Sequence, residues 1–426
     1  LRGQRERAIV CCRHAMQADP TAVTGYRMLR RMLMDDDQLS QAFEVIERER
    51  VAVGSSDLQI AYLDIASRSA LIPQLRALTL KAISRARESD PSHGRIDEIV
   101  RDIDGLPTEW RERVKALRAR SAEERDRRAA ARQLVMISAL LAYYDEKEAS
   151  SLYDVLLRCM TLWPAMPQAI DLIDRIAIDR GTPAWSDALL LRLSNEVGEK
   201  AAHVDLLQCL GHRRMAKGGD REGAIVAFVE ALKIDPSRHD VAEVAIAQLF
   251  ALDRSDQAIA IADTSLSLMK DRWTRLSFLS MLARLCSDHS NTAAQAISYF
   301  QKAVDLDPNN AELSFKFSAL CAREGRFDDA WSLFSVAMDA AVPAAEKVAL
   351  CEKLAEHFQK SQDWLRCFQA QGFALPIDPK RQEAVERILA TAKHAHQEPA
   401  LIAMLRRLAE ISTDSDQPAI LRTLAQ

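Results

Sequence analysis

The chain has 426 residues, of which 48% are hydrophobic and only 6% are aromatic. Glycine and proline are scarce, and the alternating β-branched runs that strands need are missing, so we expect an almost wholly helical protein. The formal net charge of -4 argues against a dedicated nucleic-acid binder, and no uncharged apolar stretch reaches the roughly 18 residues that a membrane span needs.

Eight cysteines are spread along the chain, and none of them forms a CxxC pair. Because paired spacing is absent, neither a structural zinc site nor a disulfide framework is indicated. We expect most of these thiols to serve as small apolar residues on buried helix faces. Many free thiols are typical of a reducing compartment, so we expect a cytoplasmic protein that holds no metal.

A spacing pattern occurs three times along the chain. A small residue is followed by a larger one at offset 4, a second small one at offset 7 and a proline at offset 12. The first three share one face of a helix, where small residues let a neighbouring helix approach closely, and the proline ends the helix. The copies are Ala8, Cys12, Ala15 and Pro20; Ala224, Phe228, Ala231 and Pro236; and Ala296, Phe300, Ala303 and Pro308.

The first small position can be followed along most of the chain in steps of 34 to 38 residues. Each step is long enough for two helices, and Ala311–Arg323 followed by Gly325 shows the first helix and the turn of one such unit. We expect the position at Ala8, Ala42, Thr79, Ala116, Leu152, Ala188, Ala224, Ala258, Ala296, Ala330 and Cys367.

The pattern is least regular between residues 92 and 132. A short helix, Gly94–Ile103, meets Gly105 and Pro107, and Ser121 begins a capping box that predicts a new helix running through Tyr144. Residues 110–132 carry nine basic and four acidic side chains, an excess of +5.

This basic stretch is open to three interpretations. It could be a solvated helix surface at a joint, a docking site for an acidic partner or nucleic acid, or a short coiled-coil contact. The candidate binding residues in it are Arg111, Arg113, Arg118, Arg120, Arg127 and Arg128.

Both ends of the chain depart from a whole unit. Leu1 lies just before the second helix of a unit, so we expect the native protein to extend further toward the N-terminus. Beyond Pro379 come amphipathic segments at 381–394 and 400–411 and a short one near 417–425. We therefore divide the chain into repeats at 1–92, an irregular repeat with a charged connector helix at 93–132, repeats at 133–381, and a divergent repeat with capping helices at 382–426.

These motifs resemble the tetratricopeptide-repeat family over nearly the whole chain, most clearly around 1–50 and 204–345. The resemblance implies an all-α, right-handed superhelical solenoid of antiparallel helix pairs, with about ten to eleven repeats. In this family the ligand lies along the concave groove formed by the first helix of each unit. Matched to the family's groove positions are Thr24, Arg27, Arg31, Arg284, Glu312, Phe315 and Arg323.

Arg27 and Arg31 lie one helical turn apart and could grip a carboxylate or a phosphate. Family members that bind chaperone tails carry lysine and asparagine at these two places, so the two arginines argue against that ligand.

No nucleotide-binding, nucleophile-elbow or zinc-protease motif is present, and we expect neither a catalytic site nor a cofactor. The leading hypothesis is a non-catalytic scaffold or adaptor that holds a protein or peptide as part of a multi-subunit assembly, with no membrane span and no nucleic acid. An alternative is the sensor or targeting region of a larger enzyme, such as a kinase, protease or glycosyltransferase. A third is a periplasmic array of an exopolysaccharide exporter, against which the free cysteines argue.

Overall fold

The computed structural model describes residues 2–53, 58–145, 149–377 and 381–411. Within these ranges all regular structure is helical, as the composition predicts. The chain divides into two compact units, Leu1–Gln248 and Leu249–Gln426, and the boundary falls within the helix His239–Ala251.

The helices of the first unit are joined mostly by turns of a few residues, and Pro73–Leu75 adds one short 3-10 turn. They are α1 Arg2–Ala18, α2 Val23–Asp35, α3 Leu39–Val53, α4 Gln59–Ser69, α5 Arg76–Ser89, α6 Gly94–Glu123, α7 Arg127–Tyr144, α8 Ala149–Leu162, α9 Pro167–Asp179, α10 Pro183–Glu196, α11 Lys200–Gly218, α12 Arg221–Ile234 and α13 His239–Ala251.

The second unit continues with the same kind of helix pair, and Ser290–Thr292 forms a second 3-10 turn. Its helices are α14 Ser255–Leu268, α15 Arg272–Ser287, α16 Ala293–Leu306, α17 Ala311–Arg323, α18 Phe327–Ser332, α19 Phe334–Ala337, α20 Ala344–Lys360, α21 Trp364–Ala374, α22 Arg381–Ala395 and α23 Glu398–Ile411. The last two helices confirm the first two amphipathic segments expected near the C-terminus, and the segment near 417–425 lies outside the described residues.

The small position that marks the repeat is a buried packing position in most units. Helix pairs such as α11 with α12 and α15 with α16 pack against each other along it. Eight of the eleven expected residues are buried, which confirms the period where helices pair regularly. These eight are Ala42, Thr79, Leu152, Ala224, Ala258, Ala296, Ala330 and Cys367.

The other three expected positions differ. Ala188 is exposed, and Ser186 with Leu190 takes the buried face of α10 instead, so the predicted register is wrong there by two residues. Ala116 is also exposed, because α6 has no separate second helix for it to mark. Ala8 is only half-buried.

Close helix approach explains Gly211 in α11. A Cβ atom on Gly211 would lie 2.5 Å from Cε1 of the buried Phe228 ring on α12. Any side chain there would push the ring out of its packed position, because interiors leave no spare volume of that size. The α11–α12 pair therefore depends on this glycine.

In the region predicted to be irregular, one continuous helix, α6, replaces the two helices expected from Gly105, Pro107 and the capping box at Ser121. We call the region from α6 to α9 the joint. Pro107 removes one backbone donor, but the buried residues of α6 form a single apolar stripe that passes through it. The following helix begins at Arg127, where the Asp126 side chain accepts a hydrogen bond of 3.0 Å from the Arg128 N–H.

The buried stripe of α6 belongs to two cores in turn. Its first half, with Ile96, Ile99 and Ile103, packs with the helices α1 to α5. Its second half, with Trp110 and Leu117, packs with α7 to α10. The helix therefore carries the chain from one stack of helix pairs to the next within the first unit.

After α6 the chain returns to helices that lie far back in sequence. Arg132 on α7 pairs with Asp37, in the turn between α2 and α3, at 2.5 Å. Gln74 donates to the Ala139 carbonyl at 3.3 Å, and Arg175 on α9 donates to the Gln74 carbonyl at 3.3 Å. A simple solenoid contacts only neighbouring repeats, so this side contact is a departure from that architecture.

Asp37 lies at the centre of the side contact. It is buried, adopts a left-handed backbone with φ of 53°, and accepts from Arg68 at 3.0 Å as well as from Arg132. Arg68 also donates to the Met34 carbonyl at 2.7 Å, which ties α4 to the end of α2. One carboxylate thus joins α4, α7 and the α2–α3 turn.

Candidate functional site

The first helix of the first pair, α2, carries an exposed stripe opposite its buried residues. Thr24, Arg27 and Arg31, which the groove positions of the repeat family select, all lie on it. Met28 lies between the two arginines and is 54% exposed. Two cations and a flexible apolar side chain therefore share one accessible face.

The electrostatics below this stripe leave the two arginines available. The buried Glu49 of α3 pairs with Arg30 at 2.9 Å. Burial raises the pKa of Glu49, against the lowering effect of Arg30 and, at longer range, Arg27. The Arg31 side chain makes no hydrogen bond or ion pair with another described residue.

The neighbouring first helices add other chemistry to the first unit. On α4 the exposed residue Ile60 is apolar, and Asp64 pairs with Arg95 of α6 at 3.2 Å. On α6 the exposed residues Asp97 and Arg101 carry opposite charges. The exposed side of these helices is thus cationic on α2, apolar on α4 and mixed on α6.

In the second unit, α15 and α17 are the corresponding first helices. Arg284, Glu312 and Arg323 are exposed, as the groove positions predict. Glu312 accepts from Lys316 at 2.8 Å, and Arg323 donates to the Ser287 carbonyl at 2.8 Å. Arg284 has no such partner among the described residues.

Phe315 does not belong to the accessible face. It is only 4% exposed, and the side chain that reaches solvent next to it is Lys316. The exposed stripe of α17 runs through Glu312, Lys316 and Arg323, so Lys316 takes the accessible position between the two exposed groove residues. The prediction of Phe315 as a groove residue is therefore wrong.

The groove positions of the family also miss Trp273, which is 65% exposed at the start of α15. The other five tryptophans are buried or half-buried. Trp273 shares a helix face with Ser277 and Arg284, at spacings of 4 and 11 residues. The sequence signal that could have identified Trp273 is that this tryptophan lies outside the apolar stripe of its own helix.

Most arginines of the predicted basic stretch have partners inside the first unit. Arg113 pairs with Asp102 at 2.9 Å, Arg118 donates to the Ser151 hydroxyl at 2.9 Å, and Arg127 donates to the Thr161 carbonyl at 3.1 Å. Two guanidinium groups lie 4.8 Å from the centroids of tryptophan rings: these are Arg111 over Trp110 and Arg128 over Trp163. Arg120 is exposed without a described partner. These contacts favour the interpretation of a structural joint.

Six of the eight cysteines are buried, as expected for packing thiols; Cys11 is exposed and Cys209 is half-buried. Burial raises the pKa of Cys159 to about 12 and that of Cys286 to about 11, which suppresses the reactive thiolate. Among the described residues no cluster of three or more His, Cys, Asp or Glu side chains could hold a metal ion. Within the same ranges no helix is long and apolar enough to cross a bilayer.

Helix pairs that repeat at 34 to 38 residues, with buried small residues at their crossings, define an all-α helical-repeat solenoid. Residues 278–310, from within α15 to the end of the loop after α16, match the model of the tetratricopeptide repeat. The chain is therefore an all-α helical-repeat protein that contains a tetratricopeptide repeat at these residues.

Known proteins of this kind are similar to the chain at low identity. Tetratricopeptide repeat protein 16 of Mus musculus is 25% identical over 200 residues, which cover 43% of the chain but only 24% of that relative. The structure of YrrB, described as a TPR protein with an unusual peptide-binding site, is 18% identical with a TM-score of 0.32, covering 43% of the chain and 90% of YrrB. Yeast Tom70 is 15% identical with a TM-score of 0.25, covering all of the chain and 92% of that structure.

Proposed function

We propose that the chain is a non-catalytic scaffold or adaptor, which holds a protein or peptide partner in the groove formed by its first helices. The observation that carries the proposal is the exposed stripe of α2, where Arg27 and Arg31 flank Met28. Arginine is enriched where proteins recognise one another, and it binds carboxylates with two parallel hydrogen bonds. A flexible methionine adapts to apolar side chains of a partner.

The internal chemistry of the chain supports the same role. Buried thiols, paired arginines and the helix crossings all have a packing function, whereas the first helices keep accessible polar groups such as Arg27 and Arg31. A repeat solenoid offers an extended surface of this kind without a reaction centre. We place the protein in the cytoplasm, because its eight cysteines are free, and we propose that it works within a multi-subunit assembly.

The test uses the whole chain as bait in native cytosol, with the Arg27→Gln and Arg31→Glu double variant beside it. We expect capture of the specific partner to fall about tenfold, because the variant removes one cation and reverses another. Glutamine is chosen at 27, since a glutamate would repel the buried Glu49. The melting temperature should fall only slightly, because both side chains are exposed and Arg27 acts on Glu49 only at longer range.

The matched control is the Arg48→Gln and Arg87→Glu double variant. Both residues are exposed arginines on second helices and have no partner among the described residues. The control makes the same change in net charge, so its capture should equal that of the wild type. Equal capture by the two double variants would contradict the proposed groove.

A further inference from the structure

Trp273 lies at the centre of a small basic surface at the start of α15. We define the Trp273 surface as Lys270, Arg272, Trp273, Ser277 and Arg284, all of which are exposed. Trp273 is 65% exposed, and tryptophan and arginine are among the residues most enriched at binding hot spots.

The backbone below this surface is firmly held. The Asp271 carboxylate caps α15, accepting from the Thr274 N–H and the Thr274 hydroxyl at 2.7 Å each. The Arg272 guanidinium donates to the Leu306 carbonyl at the end of α16, and it lies 5.7 Å from the Trp273 ring centroid. The indole therefore projects from a helix start whose position is set on both sides.

The charge around the indole is net positive. Lys270 and Arg284, with the nearby Arg275, form no hydrogen bond or ion pair through their side chains with any described residue. Asp271 is the acidic group within this segment, and its carboxylate is already engaged as the helix cap. An incoming carboxylate would thus meet free cations.

We propose that the Trp273 surface binds a short acidic segment of a protein partner. An apolar side chain of the segment packs on the indole, while its carboxylates pair with Lys270 and Arg284. From Trp273 to Arg284 the helix rises about 16 Å, which an extended segment covers with about five residues. The inference rests on the proposed scaffold function and names the chemistry of one partner site.

The surface suits an acidic protein segment better than a nucleic acid. A phosphate backbone is followed by a long basic stripe, whereas the basic residues here are few and lie along one helix start and its exposed face. A single apolar anchor between a few cations is the pattern of a protein hot spot.

The probe is a short fluorescein-labelled peptide in which glutamates flank one leucine, titrated into the whole chain. Binding is followed by anisotropy and by protection of tryptophan fluorescence from acrylamide, which reaches mainly Trp273 because the other tryptophans are less exposed. We expect Trp273→Ala to weaken binding about 30-fold and Arg284→Glu about fivefold. Leu365→Ala and Arg221→Glu are the matched controls, on exposed residues elsewhere, and should bind like the wild type.

Three probe variants give the opposing outcomes. A peptide with glutamine for glutamate, or with serine for leucine, should bind more weakly; equal binding of either would overturn the proposal. Tighter binding of a single-stranded RNA of the same charge would assign the surface to nucleic acid. Self-association that Trp273→Ala abolishes, measured by sedimentation, would assign it to a second copy of the chain.

The Arg27→Gln and Arg31→Glu variant separates this inference from the proposed function. It should bind the acidic peptide normally and keep the protection of Trp273. If it loses cytosolic capture while Trp273→Ala keeps both capture and peptide binding, the scaffold function stands and the Trp273 surface is rejected. If peptide binding depends on Trp273 but neither variant changes cytosolic capture, the acidic-segment site stands and the groove on α2 is rejected.

Discussion

The repeat from α15 to α17 and the joint from α6 to α9 are both built from packed helices, but different contacts hold the two regions together. In the repeat, small residues such as Ala296 let each helix pack on its sequence neighbours. In the joint, one long helix replaces a pair, and contacts such as Arg132 with Asp37 join residues 95 apart in sequence. Local periodicity thus specifies the repeat, whereas distant polar contacts specify the joint.

The largest expected effect tests the packing side of this comparison. Ala330 is fully buried at the helix crossing, and its carbonyl accepts from the Ser318 hydroxyl at 2.9 Å. Ala330→Leu adds three carbons where no space exists, and we expect it to cost about 3 kcal/mol of unfolding free energy. Urea denaturation measures the loss.

Ala349→Leu is the matched control for this variant, because Ala349 is exposed on α20. The control should change stability by less than about 0.5 kcal/mol. If the two leucines had the same effect, the assignment of Ala330 to the crossing would be wrong.

The next largest effect tests the joint. Asp37→Asn removes the charge that Arg68 and Arg132 share, while asparagine still tolerates the left-handed backbone at φ of 53°. We expect a cost of about 2 kcal/mol, below that of a fully buried pair because both arginines are partly exposed to water. Hydrogen exchange should show faster opening in α7 and around Gln74, with little change in α11 and α12.

A matched change at the surface checks that the effect belongs to the side contact. Asp104→Asn removes the same charge from an exposed position on α6 that has no described partner. It should leave both stability and exchange unchanged. If Asp37→Asn accelerated hydrogen exchange uniformly across the first unit, the joint would not open independently of the rest of that unit.

The fold was predictable wherever a small residue packs at the crossing of two helices within one repeat. Ala224, Ala258 and Ala296 illustrate this, because burial at a helix crossing selects for size at each of them. The joint was not predictable, since Gly105, Pro107 and the box at Ser121 all carry local break signals. The apolar stripe from Ile96 to Leu117 overrides them through two cores that the local pattern does not reveal.

The candidate site was predictable only as far as the exposed helix face. Arg27 and Arg31 follow from register alone, because α2 has regular helix geometry and neighbours. Phe315 did not follow, because packing between helices decides which of the adjacent residues Phe315 and Lys316 reaches solvent. Trp273 lies off the apolar stripe of its own helix, but the groove positions of the family do not include it.

The smallest expected effect lies in α11, within the regular stack. Burial lowers the pKa of His203 below its ordinary value of 6.5. The unfolded chain then binds the proton more readily, so stability falls as pH drops through 6.5 toward the lowered value. Burial lowers the pKa of His239 as well, opposed by Asp240 and Asp235.

His203→Gln should therefore reduce, but not abolish, the loss of unfolding free energy between about pH 7.5 and about pH 5.5. His14→Gln, on an exposed histidine of α1, is the matched control for the substitution itself. If His203→Gln had no effect on the change of unfolding free energy with pH, His203 would have to be as accessible to protons in the folded chain as in the unfolded chain. The tight packing of the regular helix pairs would then not extend to this face of α11.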